Sequence, residues 1–323
     1  MIDFSKIRGF NYQPSYGSTS FENWIYFDSE KIELELRRGK QYFPDMNTIR
    51  LWLSWEAYRR NPEKFVEDFE IYLKITDRLD LKVVPTLFNR WHNSFLDNGG
   101  VYLDHIIKGW SWASRDRDGQ FSSYVSDVVT PHLKDTRILA WDICNEPFSY
   151  DKPLAEMKEI EGKEYKWLEG LYGFIKELDP QSSVGISLHA GHGKKGLERV
   201  LPISDILFIH PYFIADQDDE KAKAAFRRLL DDYVDVRERM GKPLLVTETC
   251  WGSLDNKWRI ENIKFTLTEL KERKIAWLVH ALHHSLVADL HTPEYGPVGE
   301  AGYMAFINAD GTLREGHQVF NDF

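Results

Sequence analysis

Short apolar runs alternate with amphipathic stretches along the chain. Most of these runs lack alternating polar positions, which is typical of parallel strands covered on both faces. The stretches between them repeat apolar residues at helical spacing, which predicts helices with one buried face. The pattern predicts eight strands, at Ile7–Tyr12, Thr48–Leu53, Lys82–Phe88, Ile138–Ile143, Ser183–Leu188, Ile206–Ile209, Leu244–Thr247 and Ile275–Leu282.

Helix boundaries are marked by residues with known capping preferences. Asn61 and Pro62 supply an N-cap and a proline at the first helical position. Gly241, followed by Pro243, ends a later helix. The apolar stripes predict helices over approximately 62–79, 121–129, 165–178, 222–234 and 258–270, and a short, weak helix near 195–200.

Eight strand–helix units follow one another without a composition break or a linker rich in Gly, Ser or Pro. This organisation predicts one α/β domain over residues 1–323, folded as a single (β/α)8 (TIM) barrel. The competing fold is an open doubly wound sheet, which usually carries a glycine-rich phosphate turn after its first strand. The segment 10–14 stands at that place and has no glycine, which favours the barrel.

Composition excludes several function classes. A formal net charge of −10 disfavours a nucleic-acid partner, because such proteins usually present a basic face. No apolar run approaches membrane-spanning length and the N-terminus has no signal-peptide core, so we expect a cytoplasmic protein. Both cysteines, Cys144 and Cys250, are expected to be reduced thiols. Composition makes no prediction of oligomeric state.

Two glutamates stand at the ends of predicted buried strands. Glu146 follows the apolar run that ends at Cys144, and Glu248 follows the run from Pro243 to Thr247. A (β/α)8 barrel places its active site at the C-terminal ends of its strands, so we expect both carboxyl groups at one site. A double-displacement glycosidase requires such a pair, because one group protonates the leaving oxygen and the other attacks the anomeric carbon.

Other polar residues are predicted at the same end of the barrel. Arg50 lies inside an otherwise apolar strand, and an unpaired buried charge is costly, so we expect its guanidinium to face an acid. A structural salt bridge below the site is the alternative for Arg50. His210 and Tyr212 close strand six, where they can donate hydrogen bonds to a carboxylate or to sugar hydroxyls. Core packing is the alternative for this pair.

Taken in order, these motifs resemble those of clan A glycoside hydrolases, closest in style to family 5. That family carries its acid/base in Asn-Glu-Pro after strand four and its nucleophile after strand seven. It also carries an arginine on strand two and His-x-Tyr after strand six. The matching positions here, together with a similar first strand at Arg8–Tyr12, are Asn145, Glu146, Pro147, Glu248, Arg50, His210 and Tyr212.

The resemblance implies a retaining glycosidase that uses no cofactor. Glu248 is then the nucleophile, kept ionised by Arg50 and Tyr212, and Glu146 is the acid/base with a raised pKa. Asn145 is expected to bind the sugar 2-hydroxyl. A retaining mechanism requires the two carboxyl groups to lie about 5–5.5 Å apart.

The chain departs from the family pattern at two strands. The histidine that the family places after strand three is expected here at His92, and Asn89 is a further candidate for binding substrate. The family ends strand eight with a tryptophan, whereas this chain has a histidine-rich segment in which Trp277 comes too early. His283 is the candidate pocket residue in that segment. These departures concern which sugar is held at the cleavage point.

Aromatic residues in the predicted loops are candidates for stacking on sugar faces. The long segment 98–119 contains Trp110 and Trp112, and Trp251 lies three residues after Glu248. We expect the substrate to be a small carbohydrate, either a β-linked glycoside or a short oligosaccharide. None of these residues indicates whether the substrate is a glucoside, a mannoside or a galactoside.

Two other functions stay open on the sequence alone. The histidines near the C-terminus are compatible with a metal-dependent barrel hydrolase, but such enzymes usually carry His-x-His on strand one. Strand one has no histidine here, so we predict no metal site. The third hypothesis is an inactive barrel that binds carbohydrate, and the intact glutamate pair argues against it.

Overall fold

The computed structural model describes residues 4–90, 100–107, 120–150, 157–286 and 303–323. Eight parallel strands close into a barrel in sequence order, and the last pairs with the first. The predicted (β/α)8 barrel is therefore confirmed. The strands are β1 (Arg8–Asn11), β2 (Thr48–Trp52), β3 (Lys82–Asn89), β4 (Trp141–Asn145), β5 (Val184–His189), β6 (Leu207–His210), β7 (Leu244–Val246) and β8 (Ala276–Val279).

Helices surround the strands, and their ends follow the predicted caps. The Asn61 side chain accepts a hydrogen bond from the Lys64 amide, and Gly241 adopts the left-handed conformation (φ 62°) that ends its helix. None of the helices that the structure describes is long and apolar enough to cross a bilayer. The helices within the described ranges are α1 (Ser20–Ile25), α2 (Ser29–Tyr42), α3 (Trp55–Arg60), α4 (Pro62–Arg78), α5 (Leu103–Ile106), α6 (Gln120–Val129), α7 (Met157–Leu178), α8 (Gly193–Val200), α9 (Glu220–Met240) and α10 (Asn256–Glu272).

The barrel interior is layered, because every second residue of a strand points inward. An apolar cluster that includes Val84, Phe208, Leu245 and Leu278 lies within the barrel. The residues two positions further along the chain from these four are polar, and they are Thr86, His210, Thr247 and His280. The polar layer at the C-terminal end therefore rests on an apolar floor.

Two strands differ from their predicted bounds. The strand predicted at Ile138–Ile143 runs instead from Trp141 to Asn145, and Ile138 forms only an isolated bridge to Val83. The strand predicted to reach Leu282 ends at Val279, because the Ala281 amide bonds to the Met304 carbonyl, which lies outside the barrel sheet. Both stretches are largely buried and apolar although they lie outside the strands. Hydrophobicity alone therefore does not mark where these two strands begin or end.

Candidate active site

Four strands deliver the acid pair and its neighbours to one place. Glu146 directly follows β4, Glu248 follows β7 by two residues, His210 ends β6, and Arg50 lies within β2. All four side chains are buried, with 4% of Glu146 and 8% of Glu248 exposed. One oxygen of each glutamate and one ring nitrogen of His210 lie within 4.8 Å of one another. The two carboxyl groups therefore share one site.

The backbone of both acid-bearing loops is strained. Glu146 (φ 45°), Phe148 (φ 63°) and Cys250 (φ 63°) occupy the left-handed region, which costs a non-glycine residue about 1–3 kcal/mol. The Glu146 amide donates to the Ser187 carbonyl at 3.0 Å, which ties the first loop to β5. Such conformations persist only where surrounding contacts hold them, so both loops depend on their neighbours.

Glu248 is held as a carboxylate. Arg50 Nη1 donates to its Oε1 at 2.5 Å, and the Tyr212 hydroxyl donates to its Oε2 at 2.9 Å. Burial alone would raise the pKa of Glu248, but His210, Arg50 and the Tyr212 hydroxyl lower it to about 2. His210 is neutral near pH 7, so Arg50 and Tyr212 maintain the charge there.

The same guanidinium binds a second acid that the sequence analysis missed. Arg50 Nη2 donates to Asp142 Oδ2 at 2.7 Å, and the hydroxyls of Thr86 and Ser187 donate to the same oxygen at 3.1 and 2.8 Å. Two carboxylates thus share one cation, which leaves a net negative charge beside Glu146. Asp142 carries the same signal as Arg50, a charged residue inside an apolar strand, but the apolar residues around it hide it in the sequence.

Glu146 is in the opposite electrostatic situation. Burial and the charge of Glu248 raise its pKa well above the ordinary value. Its Oε1 lies 2.6 Å from His210 Nδ1, while His210 Nε2 lies 3.0 Å from the Thr247 hydroxyl. Burial lowers the pKa of His210 to about 3, so its ring is neutral over the physiological range. The site therefore favours one ionised and one protonated glutamate.

Asn145 is oriented by two partners. Its Oδ1 accepts from Arg50 Nη2 at 2.7 Å, and its Nδ2 donates to Asn89 Oδ1 at 3.0 Å. The structure therefore joins both predicted asparagines to the network around the acids. With its oxygen engaged by Arg50, the Asn145 amide can offer a ligand a hydrogen-bond donor.

The remaining predicted residues fall into three groups. The half-buried Trp251 packs edge-on against Tyr212, with ring centroids 5.2 Å apart, so it lies beside the residue that hydrogen-bonds to Glu248. The structure does not join His283 to the acid pair, because its buried Nδ1 lies 3.1 Å from the His284 carbonyl and 4.0 Å from Glu35. Three predicted residues lie outside the described ranges, and they are His92, Trp110 and Trp112.

The end of β8 differs from the expected family pattern in a definite way. Trp277 is fully buried and the Arg8 guanidinium lies 3.6 Å from its ring centroid, so it belongs to the barrel wall. His280 instead follows the strand, with its ring 5.9 Å from that of Trp52. Its proximity also lowers the pKa of Glu248. In the sequence His280 is one of several clustered histidines, and no pattern distinguishes it from the others.

The family model described as Cellulase (glycosyl hydrolase family 5) matches residues 43–285, which is more than half of the chain and includes both glutamates. The chain belongs to glycosyl hydrolase family 5. It is therefore a member of the glycoside hydrolases, with the (β/α)8 barrel and glutamate pair on which the resemblance rested.

Individual relatives within this group are distant. A protein of Aspergillus clavatus named "Probable mannan endo-1,4-beta-mannosidase A" is 21% identical over 189 residues, covering 54% of this chain and 48% of the relative. A protein of Oryza sativa subsp. japonica that also carries a mannan endo-1,4-beta-mannosidase name is 25% identical over 146 residues, covering 39% of this chain and 34% of the relative. The chain thus aligns with about a third to a half of the length of these curated relatives.

A solved structure extends the likeness over the whole chain. The exo-beta-1,4-mannosidase Op5Man5 from Opitutaceae bacterium strain TAV5 superposes with a TM-score of 0.73 and 16% identity. The match covers 100% of this chain and 62% of that one. At this identity the likeness shows the shared barrel fold.

Proposed function

We propose that the chain is a retaining β-glycosidase that hydrolyses β-linked mannosides. The observation that carries the proposal is the contrast between two glutamates in one site, where Arg50 and Tyr212 stabilise the charge of Glu248 and burial keeps Glu146 protonated. Family membership supports the reaction class. The names of the three relatives, all of which refer to β-mannosidic bonds, support mannose as the sugar.

In the first step the Glu248 carboxylate attacks the anomeric carbon while Glu146 gives its proton to the departing oxygen. The glycosidic C–O bond breaks, a glycosyl ester forms on Glu248, and the aglycone leaves with the proton. Esterification removes the charge that raised the pKa of Glu146. The pKa of Glu146 therefore falls, so Glu146 stays ionised after giving up its proton and can accept one from water. Water then attacks the ester, restoring both glutamates and releasing the sugar with its original anomeric configuration.

His210 determines which oxygen of Glu146 carries the proton. Oε1 faces the His210 ring at 2.6 Å, so the proton must sit on Oε2 to reach a leaving group elsewhere. The Nδ1–H tautomer of His210 donates to Oε1 and excludes a proton from it. The Thr247 hydroxyl, 3.0 Å from Nε2, selects this tautomer when it donates to that nitrogen.

Metal-assisted hydrolysis is the competing chemistry, because Glu146, His210 and Glu248 offer three ligand atoms within 4.8 Å. The surroundings favour acid–base chemistry. The Arg50 guanidinium already occupies Glu248 at 2.5 Å, and a second cation at the same carboxylate would meet its repulsion. We therefore assign the three side chains to proton and glycosyl transfer.

Azide rescue of two glutamate variants tests the assignment. With 4-nitrophenyl β-mannoside as substrate, Glu146→Ala should be accelerated by azide and yield the β-mannosyl azide, because azide intercepts the ester from the face that water uses. Glu248→Gly should yield the α-mannosyl azide, because azide replaces the missing nucleophile. A panel of nitrophenyl β-glucoside, β-galactoside and α-mannoside fixes the sugar. Preferential cleavage of the α-mannoside would refute the proposal.

A further inference from the structure

A second buried arginine lies behind the nucleophile loop. Arg259, in the first turn of α10, has no exposed surface. Its Nη1 donates to the carbonyls of Cys250 and Trp251, and its Nη2 donates to those of His280 at 3.0 Å and Met304 at 3.1 Å. One guanidinium therefore binds four carbonyls that belong to three separate segments.

Backbone carbonyls, rather than a carboxylate, are the hydrogen-bond acceptors of this buried cation among the residues that the structure describes. Burial lowers the pKa of Arg259 to about 10, so it is still protonated near neutral pH. Taking a guanidinium out of water is costly, and convergent carbonyl dipoles offset that cost only when they are held in place together. The guanidinium of Arg259 and the three segments therefore hold one another in position.

The segments joined by Arg259 carry the proposed chemistry. Cys250 and Trp251 follow Glu248 by two and three residues, and Cys250 has the strained φ of 63°. His280 follows β8. Met304 lies on the returning segment, residues 303–307, which hydrogen-bonds to Ala281 and Leu282. The opposite side of the loop is fastened independently, because the Thr249 hydroxyl donates to the Pro211 carbonyl at 2.6 Å.

We propose that Arg259 is a positioning residue that sets the place of Glu248 and Trp251 by bridging the loop after β7 to the segments after β8. The inference rests on the proposed function of Glu248 as nucleophile. Arg259 acts through the backbone of the loop, and Arg50 and Tyr212 make the contacts with the Glu248 carboxylate itself. Its loss should therefore alter the geometry of attack and leave the charge state of Glu248 unchanged.

The test is Arg259→Lys, assayed with 2,4-dinitrophenyl β-mannoside and compared with Arg237→Lys. A lysine cannot span four carbonyls, and misplacement of a reacting group by about 1 Å can cost about 100-fold in rate. We expect kcat/KM, which reports the attack by Glu248, to fall by about that factor with unchanged midpoints in its pH profile. Arg237 also donates to carbonyls, those of Arg273 and Lys274 ahead of β8, and its variant should match the wild type.

A second variant disturbs the contact between the loop after β7 and the returning segment while Arg259 itself is kept. A methyl group on Gly252 would overlap the ring of Tyr303 and the sulfur of Met304, which forces the loop away from the returning segment. Gly252→Ala should therefore also lower kcat/KM at least tenfold, and it decides the question if Arg259→Lys does not fold. A merely structural arginine would lower the thermal midpoint and leave kcat/KM of the folded variant unchanged, which would overturn the inference.

The outcomes separate the two proposals. If the wild type cleaves β-glycosides and the folded variants keep its kcat/KM, the positioning role alone is refuted. Wild-type protein that cleaves no β-glycoside refutes the proposed function and the positioning role that depends on it. A shift of the acidic midpoint in the pH profile of kcat/KM for Arg259→Lys would show a direct electrostatic effect on Glu248. That result would also contradict the positioning role.

Discussion

Replacing Glu248 with glutamine should make Glu146 a stronger acid. One oxygen of each carboxyl group lies within 4.8 Å of the other. Two unit charges at that separation repel by about 3.5 kcal/mol at an effective dielectric constant of about 20. The charge of Glu248 raises the pKa of Glu146, so its removal must lower that pKa. The same variant should lose at least about 10⁴-fold in turnover, because the proposed nucleophile is gone.

The assay is a carbon-13 NMR titration of the side-chain carboxyls in protein labelled at glutamate, with Glu146 assigned from Glu146→Gln. The Glu146 midpoint should lie clearly lower in Glu248→Gln than in the wild type. Asp135→Asn is the matched control, because it neutralises an acid paired with Arg137 at the far end of β4. A Glu146 midpoint that moves by less than half a pH unit in Glu248→Gln would refute the reasoning.

Three further predictions probe the supports of the acid pair. Thr247→Val should lower kcat about tenfold with little change in KM, because the hydroxyl that selects the His210 tautomer is lost; an unchanged kcat contradicts that role. Arg50→Met should lower the free energy of unfolding by about 3–5 kcal/mol in urea titrations, because Asp142 and Glu248 lose their shared cation; a loss below 1 kcal/mol argues against it. Dialysis against EDTA should leave kcat/KM unchanged, and a loss restored by one divalent metal would favour the metal-assisted alternative.

The barrel was predictable because it depends on periodicity. Eight apolar runs separated by amphipathic stretches leave few ways to bury both faces of the strands, and glutamates at strand ends then fall on one face of the barrel. Arg50 was predictable for a related reason, since a buried cation requires an acid. Its pairing with Glu248, 198 positions away in the chain, was implied by the family resemblance, whereas its second pairing, with Asp142, needed coordinates.

The missed features depend on tertiary contacts. Asp142 was hidden in an apolar run, although its burial beside Arg50 shapes the charge of the site. Arg259 looked like an ordinary helical residue, and only the convergence of four carbonyls reveals its environment. His283 is predicted to lie near the substrate and stays a prediction, since the contacts that the structure gives for its ring are with His284 and Glu35.

Trapping of the glycosyl ester tests the central claim most directly. Incubation with 2-deoxy-2-fluoro-β-mannosyl fluoride should add the mass of one fluoromannosyl group to the intact protein, because the 2-fluorine slows both steps while the fluoride leaving group keeps formation of the ester faster than its hydrolysis. Peptide mapping should place the label on Glu248, and Glu248→Gln should stay unlabelled. A label on another residue, or turnover of an aryl β-mannoside with inversion at the anomeric carbon, would contradict the account.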